Sequence, residues 1–416
     1  MHFRNILIRP PYNFKYFLDR IMYTRLFIIL PIILQCLSQE PSDADLTILQ
    51  QFTKYGYESE QHEIETEDGY ILTVYRVLPK IKREQKPLPV LLVHGLLGSA
   101  ENYVIAGPKR GLAYMLSDLG YDVWLQNCRG SWHSRKHRSL NPNRSKQFWQ
   151  FSWHEIGKYD HPAVIDHMLV TTNSEQVFYV GHSQGCTSFY VMLSERPEYQ
   201  TKIKLGISLA PAVFMKHFAQ PLLRPFVSIY DTVKNLLDAL NQYEFVPFIN
   251  NSTLRRALLA LCKREMMKEF CMGTLTLIFG NIEQFDYNLY PTIFGQVPAG
   301  SSTNQIYHYA QGIISEKFRQ FDFGTAKNMK LYNSPTPPHY HLNNISTPIA
   351  LFYSHGDQLA VAEDILHLGT QLPNVLEIYE VSYHNFTHFD FIMAKDIVKL
   401  CNKRVVELIE NAQNDV

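Results

Sequence analysis

The 416-residue chain is 46% hydrophobic and 19% charged, with 39 basic and 39 acidic residues and a formal net charge of +0. This is an ordinary globular composition, long enough for one large domain with an insertion or for two domains. The balance of charge argues against nucleic acid as the main partner.

In chain order, the first signal is Arg25 followed by the apolar run Leu26–Leu37 (LFIILPIILQCL) and the polar stretch EPSDAD. A short apolar segment behind a basic residue and before small residues reads as a secretory signal peptide. It is shorter than the ~20 residues of a bilayer span. Residues 1–38 are therefore expected to be a leader cleaved after Ser38, with Met22 as an alternative start. The mature chain is expected to be secreted, to an extracellular site, the gut lumen or the lysosome, with no transmembrane span. Of the six cysteines, Cys36 leaves with the leader, so Cys128, Cys186, Cys262, Cys271 and Cys401 remain and at least one is free. Cys262 and Cys271, in LCKREMMKEFC, are the expected local pair, while Cys128 and Cys186 read as buried thiols. Sequons at Asn143, Asn250, Asn251, Asn344 and Asn385 agree with secretion.

Tyr57–Leu78 reads as two strands around a turn at Asp68-Gly69. Strands Pro89–His94, Tyr121–Asn127, Gln176–Val180 and Lys204–Ala210 then alternate with helices near Gly111–Leu119, within Glu155–Val170 and over Gln184–Leu193. Such alternation indicates a mostly parallel α/β sheet with helices on both faces. From Pro211 to Tyr332 it stops, in a helical, apolar stretch. It resumes with strand Pro348–Tyr353, a helix near Val361–Thr370, strand Val375–Val381 and a final helix from Phe389 to Asn411. Residues 39–210 and 333–416 are thus expected to form one core, and 211–332 a helical cap over the sheet edge where ligands bind.

The run FYVGHSQGCTS sets Gly181-His182-Ser183-Gln184-Gly185 between a strand and a helix, the setting of a nucleophile elbow. A serine hydroxyl needs a base, and the base an orienting acid, in the chain order Ser, Asp or Glu, His. Asp357, at the exit of strand Pro348–Tyr353, is preferred over Asp364, which lies within the next helix. After the last strand come His384 and His388, and His388, just before the final helix, is preferred. The oxyanion donors expected are the backbone N–H of Gln184 and that of Leu96, in the loop His94-Gly95-Leu96-Leu97-Gly98. There is no H-E-x-x-H, paired C-x-x-C or EF-hand pattern, so neither metal nor cofactor is indicated. The basic run Arg129–Lys146 reads as a solvated loop held by ion pairs.

The motifs HGLLGSAENY, NCRGSWHSRKH, GHSQG, HYAQGIISEKFRQFDFG, SHGDQLAVAEDI and HFDFIMAKD together resemble the acid lipase family of α/β-hydrolases, from about Tyr55 to Ile409. The resemblance implies an α/β-hydrolase fold with an inserted lid. It puts the triad on Ser183, Asp357 and His388, the oxyanion donors on Leu96 and Gln184, and the cap disulfide on Cys262–Cys271. It further implies a monomeric hydrolase of neutral-lipid esters, triacylglycerols or sterol esters, that meets its substrate at a lipid–water interface through the cap. A short-chain carboxylesterase and a non-catalytic lipid-binding relative are the alternatives. Small departures from the family pattern are Cys186, Ser131 and the sequon at Asn385, where a glycan would crowd His388.

Overall fold

The computed structural model describes residues 43–414, apart from 222, 246–266, 268, 270–272, 274–279 and 281–282. The chain forms two compact units, Met1–Asp45 and Leu46–Val416. The described part of the first is a single 3-10 turn, Asp43–Asp45. The leader lies outside the described residues.

In the second unit, α1 (Ile48–Lys54) leads into an antiparallel hairpin of β1 (Ser59–Glu65) and β2 (Tyr70–Val77), in register from Ser59↔Val77 to Glu65↔Ile71. Then follow β3 (Val90–Val93), α2 (Leu112–Asp118), β4 (Val123–Gln126), α3 (His161–Thr172), β5 (Val177–His182), α4 (Gln184–Glu195) and β6 (Ile203–Leu209). The insertion contributes α5 (Tyr230–Ala239) and α6 (Thr303–Ser315). The alternation closes with β7 (Ile349–Tyr353), α7 (Ala362–Gln371), β8 (Val375–Glu380) and α8 (Lys403–Asn414). The sheet order is β1-β2-β4-β3-β5-β6-β7-β8, with a two-residue strand, Lys136–His137, added to β2. From β4 through β8 every pairing is parallel. Every residue of β3, β4, β5 and β7 is buried, because helices cover both faces and leave no solvent side for alternation to serve.

The expected elements form, with two instructive differences. The helix sought within Glu155–Val170 opens with a π-helical turn, Ile156–Asp160. There Gly157 presses against α4: an added Cβ would lie 2.4 Å from the Ser188 carbonyl oxygen and 2.6 Å from Val191 Cβ. Gly157→Ala is expected to destabilise the fold by about 1–3 kcal/mol, the range for overpacking. Gly312 on α6 meets no such neighbour, its closest atom being 4.0 Å away. Gly312→Ala is therefore expected to be neutral or stabilising by about 0.5–1 kcal/mol. Denaturation midpoints of the two variants check the contrast.

The final helix is broken. A short helix, Asp390–Met393, ends at Ala394, which turns extended at ψ 149° and bridges Phe285, while the Lys395 N–H bonds the Gln284 carbonyl at 2.8 Å. Pairing with the insertion thus competes locally with helix continuation and wins. The helix resumes at Val398.

Arg129 corrects the reading of its loop as solvated. Its side chain is fully buried. It bonds Asp160 (Nε, 2.7 Å) and Asp68 (2.6 and 2.8 Å) and lies 4.0 Å from the centre of the Tyr70 ring. Burial works against the guanidinium charge, but the two carboxylates outweigh it and hold the group protonated. Cys128, Cys186 and Cys401 are buried free thiols, and burial pushes each thiol up. The pair Cys262–Cys271 lies outside the described residues.

Candidate active site

β5 ends at His182 and α4 begins at Gln184, so Ser183 alone makes the turn, at φ 54°, ψ −116°. A positive φ costs a side-chain-bearing residue energy, and strain of this kind concentrates at functional sites. The two flanking glycines are demanded by contact. An added Cβ on Gly185 would lie 2.4 Å from the Val93 carbonyl oxygen, and one on Gly181 2.9 Å from the Cys186 nitrogen. The Ser183 N–H is anchored to the Leu209 carbonyl at 2.9 Å, tying the elbow to β6.

The structure brings Ser183, His388 and Asp357 together from three strand exits. The Ser183 hydroxyl donates to His388 Nε2 at 2.7 Å, and His388 Nδ1–H donates to Asp357 Oδ2 at 2.7 Å. The other oxygen of Asp357 accepts the N–H groups of Leu359 and Ala360 at 2.8 and 2.9 Å. All three side chains are buried, Ser183 being 8% exposed. Such a chain holds one tautomer of the imidazole, with its acceptor nitrogen facing the hydroxyl. The alternatives weighed in the sequence stand elsewhere. Asp364 binds His217 (2.8 Å), and His384 is exposed and stacks on His355.

The loop His94–Gly98 passes directly over the elbow, since an added Cβ on Gly95 would lie 2.9 Å from Ser183 Cβ. Gln184 follows Ser183 in the chain, and Leu96 follows Gly95, whose backbone lies against the Ser183 side chain. Gln184 is the first residue of α4, and the first N–H groups of a helix have no partner within it. The loop is held from the insertion, where the Ala299 N–H donates to the Leu97 carbonyl at 2.7 Å. Gln184 is held likewise, its Nε2 donating to Gln305 Oε1 on α6 at 2.5 Å.

Four residues of this neighbourhood had no role in the sequence reading. His182 donates Nε2–H to the backbone carbonyl of His388 at 2.9 Å, and burial keeps its ring neutral. Asp390 accepts the N–H and the hydroxyl of Thr387 at 2.6 and 2.9 Å, fixing the turn that carries His388. Burial pushes its carboxyl up to about 6. His94 donates Nδ1–H to the Gly95 carbonyl at 2.8 Å and accepts the Cys128 N–H at Nε2 at 3.0 Å, and Gln305 reaches the elbow from the insertion. Thr387-x-x-Asp390 is a capping pattern that the sequence did display. Gln305 carries no local signal at all, because its partner is 121 residues away.

No group of three or more His, Cys, Asp or Glu suited to a metal ion occurs among the described residues. No described helix is long and apolar enough to cross a membrane.

A mostly parallel sheet with a strained serine elbow at the exit of β5 defines the α/β-hydrolase class. The sequence matches the α/β hydrolase fold family over residues 89–393 and the partial α/β-hydrolase lipase region over residues 48–107. Over 369 residues it is 40% identical to Lipase 1 of Drosophila melanogaster, covering 88% of this chain and 80% of that protein. It is 39% identical to Lipase 3 of the same organism, over 86% of this chain and 91% of the relative. With gastric triacylglycerol lipase of Mus musculus the identity is 37%, over 88% and 92% of the two chains. The chain belongs to the acid lipase family of α/β-hydrolases.

Proposed function

We propose that this chain is a secreted serine lipase that hydrolyses carboxylic esters of neutral lipids, triacylglycerols or sterol esters, through an acyl-enzyme on Ser183. The observation that carries the reading is the continuous hydrogen-bonded chain Ser183–His388–Asp357, with both links at 2.7 Å. In this mechanism His388 Nε2 takes the hydroxyl proton as Ser183 Oγ attacks the ester carbonyl, and Asp357 stabilises the imidazolium that forms. The N–H groups of Leu96 and Gln184 receive the negative charge on the tetrahedral oxygen. Collapse expels the alcohol, which takes the proton from His388. Water, deprotonated by His388, then attacks the acyl-enzyme and releases the fatty acid and free Ser183. No cofactor or metal enters any step.

The lipid preference rests on the insertion, read here as a cap over residues 211–332. Leu223, Phe226, Ile229, Leu236 and Leu240 are all at least 44% exposed, on or beside the short helix Arg224–Ser228 and α5. Contact with a lipid surface would remove them from water at about 25 cal/mol per Å². The relative known as gastric triacylglycerol lipase points to the same substrate class. Secretion is supported by the apolar run Leu26–Leu37 and by Asn143, Asn344 and Asn385, all exposed at their sequons.

The test is a chain-length series of esters, assayed with the purified mature protein below and above the solubility limit of each substrate. The expected result is a rise in rate when an emulsion forms, greatest for long acyl chains. Smooth saturation on short soluble esters would make the protein a carboxylesterase. Absence of turnover on every ester would leave a lipid-binding protein.

A further inference from the structure

We propose that His94 is a positioning residue that aims the Leu96 N–H at the oxyanion through the carbonyl of Gly95, an inference that rests on the ester-hydrolase reading of Ser183. A trans peptide is planar, with its C=O and N–H pointing in opposite directions. Whatever holds the Gly95 carbonyl therefore also directs the N–H of Leu96. Two donors hold it: His94 Nδ1–H at 2.8 Å and the Gly98 N–H at 3.0 Å. The same peptide lies against the elbow, because a Cβ on Gly95 would come within 2.9 Å of Ser183 Cβ.

The other nitrogen of His94 is also committed. Nε2 accepts the Cys128 N–H at 3.0 Å, at the exit of β4. One ring thus ties the loop after β3 to the loop after β4, and it does so only as the neutral Nδ1–H tautomer. An imidazolium would turn Nε2–H against the Cys128 N–H and lose that bond. The ring is 4% exposed. Burial lowers its titration to about 4, with the Gly95 carbonyl and Glu101 favouring the charged form and His133 opposing it. Arg129, the Cys128 thiol, His161 and His182 complete its charged and titratable surroundings.

The sign of the pH effect follows. A folded-state value below the ordinary one means that the unfolded chain binds the proton first. The stability that this ring contributes is therefore full above about 6.5 and declines as pH falls towards about 4. The oxyanion loop keeps its geometry until the ring itself takes the proton.

The experiment compares full-length wild type, His94→Asn, His94→Gln and Ser183→Ala on a soluble ester. An Asn amide overlays Nδ1 and keeps the donor to Gly95, whereas a Gln amide overlays Nε2 and loses it. His94→Gln is expected to lose about 10²-fold in kcat, the cost of one oxyanion donor, with KM unchanged within about twofold. His94→Asn is expected to stay within about fivefold of wild type. The ratio of its kcat to that of wild type should rise as pH drops through about 4, since Asn has no proton to gain and every group the two proteins share cancels in the ratio. Equal losses in the two variants, or a ratio flat with pH, would overturn the proposal. Should His94→Gln fail to fold, 15N spectra of wild type decide: a proton on Nδ1 at neutral pH supports the assignment, and one on Nε2 rejects it. Hydrolysis surviving in Ser183→Ala would reject the ester-hydrolase reading itself. An inactive Ser183→Ala beside a fully active His94→Gln would reject only the role of His94.

Discussion

Ser183→Ala is expected to lower kcat by about 10⁶-fold while leaving the denaturation midpoint within about 1 kcal/mol of wild type. The hydroxyl makes one hydrogen bond, to His388, and contributes almost no apolar packing, so its loss removes chemistry and leaves structure. Asp357→Asn is its companion. Asn keeps an oxygen for the N–H groups of Leu359 and Ala360 but can offer an N–H to His388 Nδ1, favouring the tautomer whose Nε2 carries the proton. The expected loss is about 10⁴-fold in kcat, with KM little changed. Single-turnover assays on folded, purified variants check both. A folded Ser183→Ala protein that turns over ester at the wild-type rate would end the proposed mechanism.

Arg129→Met is expected to cost about 3–5 kcal/mol of stability. Its guanidinium, fully buried, ties the hairpin turn at Asp68 to Asp160 at the start of α3. Removal leaves the Asp160 carboxylate buried with no cation beside it. Exposed pairs such as Lys136–Glu63 and Lys403–Glu407 are worth about 0–1 kcal/mol, because water screens them. Urea denaturation of Arg129→Met, and of the triple variant Arg129→Met, Asp68→Asn, Asp160→Asn, measures the difference. The triple variant is expected to recover part of the loss, since its buried groups no longer carry an unpaired charge. An Arg129→Met midpoint equal to wild type would show that the network contributes nothing.

The candidate site was unusually legible in this chain. Ser183 stands in a five-residue pattern whose glycines are each forced by a close backbone contact, so local sequence carries the geometry. Asp357 follows a continuous apolar strand and His388 the alternating edge strand Val375–Glu380, and position after a strand is what delivers a side chain to the sheet edge in this architecture. The basic run from Arg129 to Lys146 was less legible. Its composition suggests solvent, yet Arg129 is buried by two carboxylates that approach from residues 61 and 31 positions away. The break after Met393 was invisible for a similar reason. Helix propensity favours continuing through Ala394, and only the bridge to Phe285, far away in sequence, stops it.

The sequence by itself determined the order of strands and helices, the elbow and the identity of the residues that meet there. Each of these is written in periodicity, in turn chemistry or in spacing after a strand, all of which act over a few residues. Only the tertiary structure decided how those residues are held. His182 on the backbone of His388 and Gln305 reaching Gln184 from the insertion are contacts between segments brought together by packing. A hydrogen bond of under 3 Å across such a distance in sequence depends on how whole layers of the fold are set against one another, and no local pattern encodes that.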